Sequence, residues 1–279
     1  MRIMLVCESF GSLGGVGQLV EELAAGLARA GNPVAIASNR SDRVPCPRDI
    51  ASGVELAWLD LPRRKQPTWR HPERLFRRPR ATELLAFMRS WRPDIVNIHG
   101  GLRDRFPAVL EACAAASAPV VLSFHLAGSR DRQADPLPDL SAARAIVFLT
   151  AAIQRGFERG SPRASNHYVI TGGVDCEAAG RAAALQRQRP YIFSAARLDL
   201  RFKALDLLID AFAQVAGANP ALDLLLVGDG PDRSRLRAQA EALGLADRVV
   251  MPGVLPRDEF WSYHKGAALF AMPARPTEG

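Results

Sequence analysis

The stretch SAARLDLRFKALDLLIDAF, residues 194–212, decides the fold: it is the end of a strand, a charged loop and a helix in succession. Tyr191, Ile192 and Phe193 form the apolar strand just before it, the loop carries Arg197, Asp199, Arg201 and Lys203, and Leu205, Leu208, Ile209 and Phe212 recur at helical spacing. In a parallel α/β sheet the carboxyl ends of strands and the N-termini of the following helices line the ligand crevice, so cations at this turn face whatever anion binds there. Arg197 and Lys203 are therefore the candidates for holding a diphosphate. The plainer reading is that they are solvated loop charges, as basic loop residues commonly are.

Toward the C-terminus the same alternation continues. Residues 222–227 read as a strand closed by Gly228-Asp229-Gly230-Pro231, 233–243 as a helix, 249–251 as a strand, 258–265 as a helix and 268–272 as a last strand. Upstream, the polar, Ala- and Arg-rich run 177–189 suits a connector between domains. Ahead of it come strands at 168–171 and 145–149, the latter followed by a short helix at 150–158, and strands at 120–124 and 94–98 separated by a helix that ends near Ala116. A further helix is predicted around 82–91.

The N-terminus opens as a βαβ unit: a buried strand over 3–7, the glycine-rich loop GSLGGVG over 11–17, an amphipathic helix over 18–30 ended by Gly31, and a strand over 34–38. Glycines between strand and helix let backbone N–H groups approach a phosphate, so Gly15, Val16 and Gly17 are ligand-side candidates beside the simpler reading of a tight turn. The dinucleotide fingerprint itself is not met, because Val20 stands where the third glycine would fall, and no GKS or GKT completes a P-loop. Two blocks of alternating strands and helices predict an α/β protein of two Rossmann-like, doubly wound domains facing a cleft, 1–188 and 189–279.

Two strands deliver a histidine at their carboxyl ends, His99 and His125, on the side of a sheet where ligands sit; His71, His167 and His264 have no comparable placement and read as structural or surface. Residues 39–80 differ in character, with prolines, little periodicity and a basic cluster from Arg63 to Arg80 interleaved with Trp58 and Trp69. This is either a solvated excursion or a contact for lipid headgroups; nucleic acid is a distant alternative.

The chain has 279 residues, 48% of them hydrophobic, enough to bury a sizeable core, and a formal charge of +7 that favours anionic partners without choosing among them. Lys65, Lys203 and Lys265 are its only lysines, which sets Lys203 apart in the loop under suspicion. The cysteines Cys7, Cys46, Cys113 and Cys176 form no CxxC pair, so neither a zinc site nor a disulfide scaffold is indicated. Residues 1–7 lack the core length of a signal peptide and no apolar run spans a membrane. The expected setting is cytoplasmic, with any membrane contact peripheral at the inner face.

With the motifs placed, the chain resembles glycosyltransferase family 4, of the two-Rossmann-domain GT-B type. The likeness rests on Gly14-Gly15-Val16-Gly17, on Pro93-Asp94-Ile95-Val96 leading to His99, and on Ser123-Phe124-His125. It continues through Gly173-Val174-Asp175, Ala196-Arg197-Leu198 with Lys203, Val227-Gly228-Asp229-Gly230-Pro231, and the run from Pro273 to Glu278-Gly279. The resemblance implies a retaining transfer of a sugar from a nucleotide diphosphate to a carbohydrate or lipid-linked acceptor, with a UDP- or GDP-sugar as co-substrate and no cofactor or metal. By resemblance Arg197 and Lys203 neutralise the donor diphosphate, His125 contacts the donor sugar near the reacting carbon, and Glu278 hydrogen-bonds a sugar hydroxyl. Gly15, Val16, Gly17 and Gly173 would belong to the donor-binding set, with Gly253 and Val254 near the base. No carboxylate pair suggests the acid and nucleophile of double displacement.

Four departures from the family pattern stand out: Lys203-Ala204 for Lys-Gly, Gly172-Gly173-Val174 for Asn-Gly-Val, Asn97-Ile98-His99 for His-x-His, and no second acidic residue after Gly279. The last leads to the expectation of an incomplete second domain of about four strands, open on one sheet face. On that expectation the alternatives are a catalytically inactive nucleotide-sugar-binding module, or a partner chain that completes a two-chain enzyme.

Overall fold

The computed structural model describes residues 1–7, 10, 15–39, 52–61, 81–100, 106–125, 140–159 and 164–275. These fold as two compact units that meet at Gly173 and Val174. The first unit holds a seven-stranded sheet: β1 (Ile3–Cys7), β2 (Val34–Asn39), β3 (Val54–Leu59), β4 (Ile95–His99), β5 (Val120–Phe124), β6 (Ala145–Phe148) and β7 (His167–Val169). Their order is β3-β2-β1-β4-β5-β6-β7, and every pairing is parallel.

Alternation along β1 and β2 shows why the sheet must be covered on both sides. Ile3, Leu5 and Cys7 with Val34 and Ile36 pack beneath α1 (Gly15–Arg29), meeting Val20 and Ala24. Met4 and Val6 with Ala35 and Ala37 point the other way, into a core completed by Leu84, Met88 and Trp91 of α2 (Thr82–Trp91), Val109 and Ala112 of α3 (Phe106–Ala115), and Ile153 of α4 (Ala151–Glu158). Helix ends follow their sequence signals. Gly31, at φ 81°, takes the left-handed position after α1, and the Thr150 hydroxyl accepts the Ile153 N–H at 3.2 Å to cap α4.

The second unit is a four-stranded parallel sheet of β8 (Tyr191–Ala195), β9 (Asp223–Val227), β10 (Val249–Gly253) and β11 (Leu269–Phe270), ordered β10-β9-β8-β11. Ile192, Leu224 and Leu226 pack under α6 (Leu205–Ala216) and α7 (Arg233–Ala242), where Ile209, Phe212 and Leu236 are fully buried, each worth roughly 1.5–3 kcal/mol of transfer. Tyr191, Phe193, Leu225 and Val227 face the other side, against Phe260 and Tyr263 of α8 (Arg257–Gly266).

Three features differ from the sequence reading. The helix after β1 begins at Gly15, so Gly15, Val16 and Gly17 are its first turn and not part of a loop; residues 11–14 lie outside the described residues. Within 39–80 a strand, β3, pairs along β2, and it was hidden because an outer strand carries a mixed pattern of partly buried side chains. The connector folds with the second unit: α5 (Cys176–Arg181) is capped by Asp175, and Lys265 Nζ donates to the carbonyls of Gly180 and Ala182 at 2.9 and 2.8 Å. Leu185 N donates to Ser262 O at 2.8 Å. Residues 174–188 thus pack with the domain they precede. The basic cluster at 63–80 and Glu278 lie outside the described residues. Among the described residues no helix is long and apolar enough to cross a membrane.

Candidate active site

In an open parallel sheet the crevice forms where strand order reverses, outside the carboxyl ends of the strands. In the first unit that point lies between β1 and β4, and in the second between β8 and β11. Every candidate side chain in the described residues can be located relative to one of these two edges.

The carboxyl edge of the first sheet is a row set by strand register: Cys7 stands opposite Ser38 on one side and His99 on the other, and His99 stands opposite Ser123. Ser38 Oγ accepts the Phe10 N–H at 3.0 Å and Ser123 Oγ donates to Asn97 Oδ1 at 2.9 Å, so both hydroxyls are engaged. His99, only 2% exposed, places Nδ1 at 3.1 Å from Nε2 of half-buried His125, with ring centroids 5.3 Å apart. Burial, helped by the neighbouring His125, pushes His99 down to about 3, and burial also holds His125 below the usual histidine value. Both imidazoles are neutral at pH 7. Gly100 is required beside them: its N–H donates to Ser123 O at 2.8 Å, its φ is 20°, and a Cβ there would lie 2.9 Å from His125 Cδ2.

The first turn of α1 follows β1 at this edge, and no acidic residue occupies it, which suits the positive end of a helix dipole facing an anion. Gly172 is pressed against this helix, since a Cβ would meet Leu19 Cδ1 at 3.0 Å. That close approach accounts for glycine where the family pattern has asparagine. Gly173 has open space around it.

At the edge of the second sheet two loops are mortised together. Leu198 N donates to Asp229 O and Asp232 N to Leu198 O, each at 3.0 Å, and Leu200 N donates to Asp232 Oδ2 at 2.8 Å. Gly228 and Gly230 make this approach feasible: Gly228 has φ 128°, and Cβ atoms would lie 2.0 Å from Ala196 O at Gly228 and 2.4 Å from Leu198 O at Gly230. Inside the first loop Asp199, 1% exposed, is gripped bidentately by Arg201 at 3.0 and 2.8 Å. Those Arg201 hydrogen bonds hold the Asp199 carboxyl below the ordinary carboxylate range in spite of its burial. Lys203 N donates to Asp199 O at 2.9 Å. With Arg201 committed to Asp199, Arg197 keeps only a loose approach, Nε 3.8 Å from Asp199 Oδ2, and the Lys203 ammonium has no hydrogen-bond or ion-pair partner among the described residues.

The structure therefore brings Arg197, Lys203 and Gly253 to one edge. Gly228 N donates to Gly253 O at 2.7 Å, Gly253 has φ 92°, and Val254 after it is exposed. It brings His125 together with His99 at the edge of the other sheet.

Two arginines escaped the sequence reading. Arg233 Nη2 donates to Met251 O at 2.7 Å, with Nη1 3.7 Å from Asp229 Oδ1, tying the β9 loop to β10. A hint was available, because a cation at a helix N-terminus opposes the helix dipole and needs another reason to be there. Arg275 had no such hint. It reaches back to Asp206 with bonds of 3.0 and 2.6 Å, to Leu200 O at 2.9 Å, and through its own N–H to Phe202 O at 3.1 Å.

Two parallel doubly wound sheets, each with glycines and polar groups gathered at the carboxyl edge beside its switch point, define the two-Rossmann-domain class of α/β proteins. The family model described as Glycosyltransferase Family 4 matches residues 13–178, and that described as Glycosyl transferases group 1 matches residues 177–279. The chain belongs to Glycosyltransferase Family 4.

Among curated relatives, the GDP-mannose-dependent alpha-(1-6)-phosphatidylinositol monomannoside mannosyltransferase of Mycobacterium tuberculosis (strain ATCC 25618 / H37Rv) is 34% identical over 140 residues, 47% of this chain and 36% of that protein. The 2-deoxystreptamine N-acetyl-D-glucosaminyltransferase of Streptomyces fradiae is 42% identical over 59 residues, 21% of this chain and 14% of that protein. The matched segments thus span little more than a third of these relatives at most. Among solved structures, sucrose-phosphate synthase from Thermosynechococcus elongatus superposes with a TM-score of 0.68 at 17% identity, covering 96% of this chain and 74% of that one. Anabaena Alr3699/HepE in complex with UDP and glucose does so at 0.68 and 17%, covering 99% and 75%. At that identity the likeness is one of fold.

Proposed function

We propose that this chain acts as a hexosyltransferase that moves a sugar from a nucleotide diphosphate to an acceptor with retention of anomeric configuration. The observation that carries the reading is the β8–α6 loop. It sits at the carboxyl edge beside the switch point, it is fixed by the Gly228 and Gly230 contacts, and Arg201 neutralises its buried Asp199 so that Arg197 and Lys203 are not used up internally. As the glycosidic bond breaks, negative charge grows on the departing phosphate. Cations already fixed there stabilise the transition state more than the bound substrate.

In this reading neutral His125 meets the donor sugar near the reacting carbon, the first turn of α1 and Gly173 lie on the donor side, and Gly253 with Val254 approach the base. Glu278 serves as the acceptor for a sugar hydroxyl. The relatives' names support a GDP- or UDP-linked hexose as donor and a carbohydrate or lipid-linked acceptor, with GDP-mannose the first donor to try. Thermal unfolding against a panel of GDP- and UDP-sugars, followed by radiolabel transfer or donor hydrolysis with the stabilising donor, tests the proposal. The expected result is a raised melting temperature with one donor and turnover that Arg197→Ala and Lys203→Ala both suppress. No stabilisation by any donor, or turnover equal to wild type in both variants, contradicts it.

A further inference from the structure

The pair of histidines at the first sheet's edge carries a hydrogen bond whose direction the surroundings fix. His99 Nδ1 and His125 Nε2 are 3.1 Å apart, so one of them donates and the other accepts. Nε2 of His99 is buried with no hydrogen-bond partner among the described residues. Were His125 the donor, His99 would accept at Nδ1 and carry its own proton on Nε2, which buries an N–H facing no acceptor. Were His99 the donor, Nε2 would be a bare lone pair, which proteins leave unpaired more readily than an N–H.

The neutral state of both rings agrees with a single shared proton between them. Gly100 leaves room for the ring, since a Cβ there would come within 2.9 Å of His125 Cδ2. Nδ1 of His125 bonds no protein group among the described residues.

We propose that His99 is a positioning residue: its Nδ1–H donates to Nε2 of His125, which locks His125 as the Nδ1–H tautomer and makes that N–H a hydrogen-bond donor for a ligand oxygen. The identity of that oxygen, on the donor sugar or its phosphate, rests on the function proposed above; the direction of the hydrogen bond does not. A neighbouring group deciding which imidazole nitrogen carries the proton is a general device for aiming histidine chemistry.

The test is two-bond 1H–15N spectroscopy of the 15N-labelled full chain at pH 7.5, with His99→Asn and His125→Gln used for assignment. Expected is one neutral tautomer at His125, protonated at Nδ1 and bare at Nε2. In His99→Leu, which removes the donor, the pattern should relax toward the exchange-averaged one of free imidazole, with kcat/KM lower by about three- to tenfold. His99→Asn keeps an amide donor near the position of Nδ1 and should restore most of both. A wild-type His125 protonated at Nε2, a cationic His125, or an Nδ1–H tautomer unchanged in His99→Leu overturns the assignment. If His99→Leu does not fold, the wild-type and His99→Asn spectra decide it. The predicted tautomer in a protein that turns over no nucleotide sugar would uphold the hydrogen bond and reject the transferase reading instead.

Discussion

Lys203→Ala is the sharpest perturbation available. The loop around it holds Arg197, Arg201, Lys203 and Asp199, three cations and one carboxylate, and Arg201 is tied to Asp199 by two hydrogen bonds. Lys203 is half-buried and its ammonium has no partner among the described residues, so its charge is neither fully screened by water nor cancelled by a carboxylate of those residues. A unit charge about 4 Å from a phosphate oxygen is worth roughly 4 kcal/mol at an effective dielectric of about 20. In the proposed reaction the leaving phosphate gains between about half and a full charge on the way to the transition state, so removal should cost about 2–4 kcal/mol. That is a fall of about thirty- to several-hundredfold in kcat. Lys203→Arg, which keeps the charge with a bulkier head, should recover part of it.

Arg197→Ala should cost less, because its side chain is 56% exposed and already leans on Asp199. Arg201→Ala should act through Arg197: the buried carboxylate loses its partner, and Arg197 is the nearest replacement at 3.8 Å. The Arg197→Ala/Arg201→Ala double variant should then be clearly less than additive. The assay is initial rate over a range of donor concentrations up to saturation, with kcat and KM resolved. A Lys203→Ala enzyme within twofold of wild type in both constants, or an additive double variant, would show that this loop does not hold the leaving group.

Three further outcomes are expected. Gly228→Ala forces a Cβ to within 2.0 Å of Ala196 O at a φ of 128°, so it should lower stability by about 1–3 kcal/mol in urea titrations and weaken any donor-induced thermal shift. Arg275→Met leaves Asp206 and the Leu200 carbonyl without their common partner, while the backbone bond to Phe202 O is kept; KM for the donor should rise several-fold with the circular dichroism spectrum unchanged. Acidification should destabilise the first unit in a defined window: His99 is held near 3 when folded and titrates at its ordinary 6.5 when unfolded, so between those values the unfolded chain binds the extra proton and stability falls as pH drops. Urea midpoints at pH 7.5 and 5 should show that fall, and His99→Asn should flatten it. The lowered carboxyls of Asp199 and Asp206 act only further down, in the carboxylate range.

Much of this was legible in the residues. The strand over 120–124, the helix over 82–91 and the start of the second sheet at Tyr191 fall where periodicity places them, because each has an apolar face that a single period explains. Arg197 and Lys203 were found by their place after a strand. Helix α1 was started too late because glycines read as a loop, although Gly15 and Gly17 stand in its first turn. Strand β3 went unseen because Val54-Glu55-Leu56-Ala57-Trp58-Leu59 sits at the sheet's outer position, half-buried, with no clean alternation. The joining of His99 to His125, and of Arg275 to Asp206, has no local signature at all. Those pairs meet through strand order, which no window of sequence contains.

The Arg275 contacts also bear on how a phosphate loop of this kind keeps its shape. Loop 197–204 enters from β8 and leaves into α6, whose first turn carries Asp206 but no side-chain cap. Left to itself, such a loop would owe its conformation to the Asp199–Arg201 grip and to the mortise with Gly228 and Gly230. Arg275 adds a third support from the chain that follows β11, bonding the loop at Leu200 O and Phe202 O and the helix at Asp206. The two-residue strand β11 pairs directly with β8, so the register that aligns Leu269 with Ile192 also sets where Arg275 arrives. A change that shifts β11 should then shift the loop that carries Lys203. One guanidinium thus joins the chain that follows β11 to the loop proposed to hold the phosphates and to the first turn of α6. The placement of Arg197 and Lys203 is on this account a property of one braced assembly, so a substitution at Arg275 should alter the loop as surely as one within it.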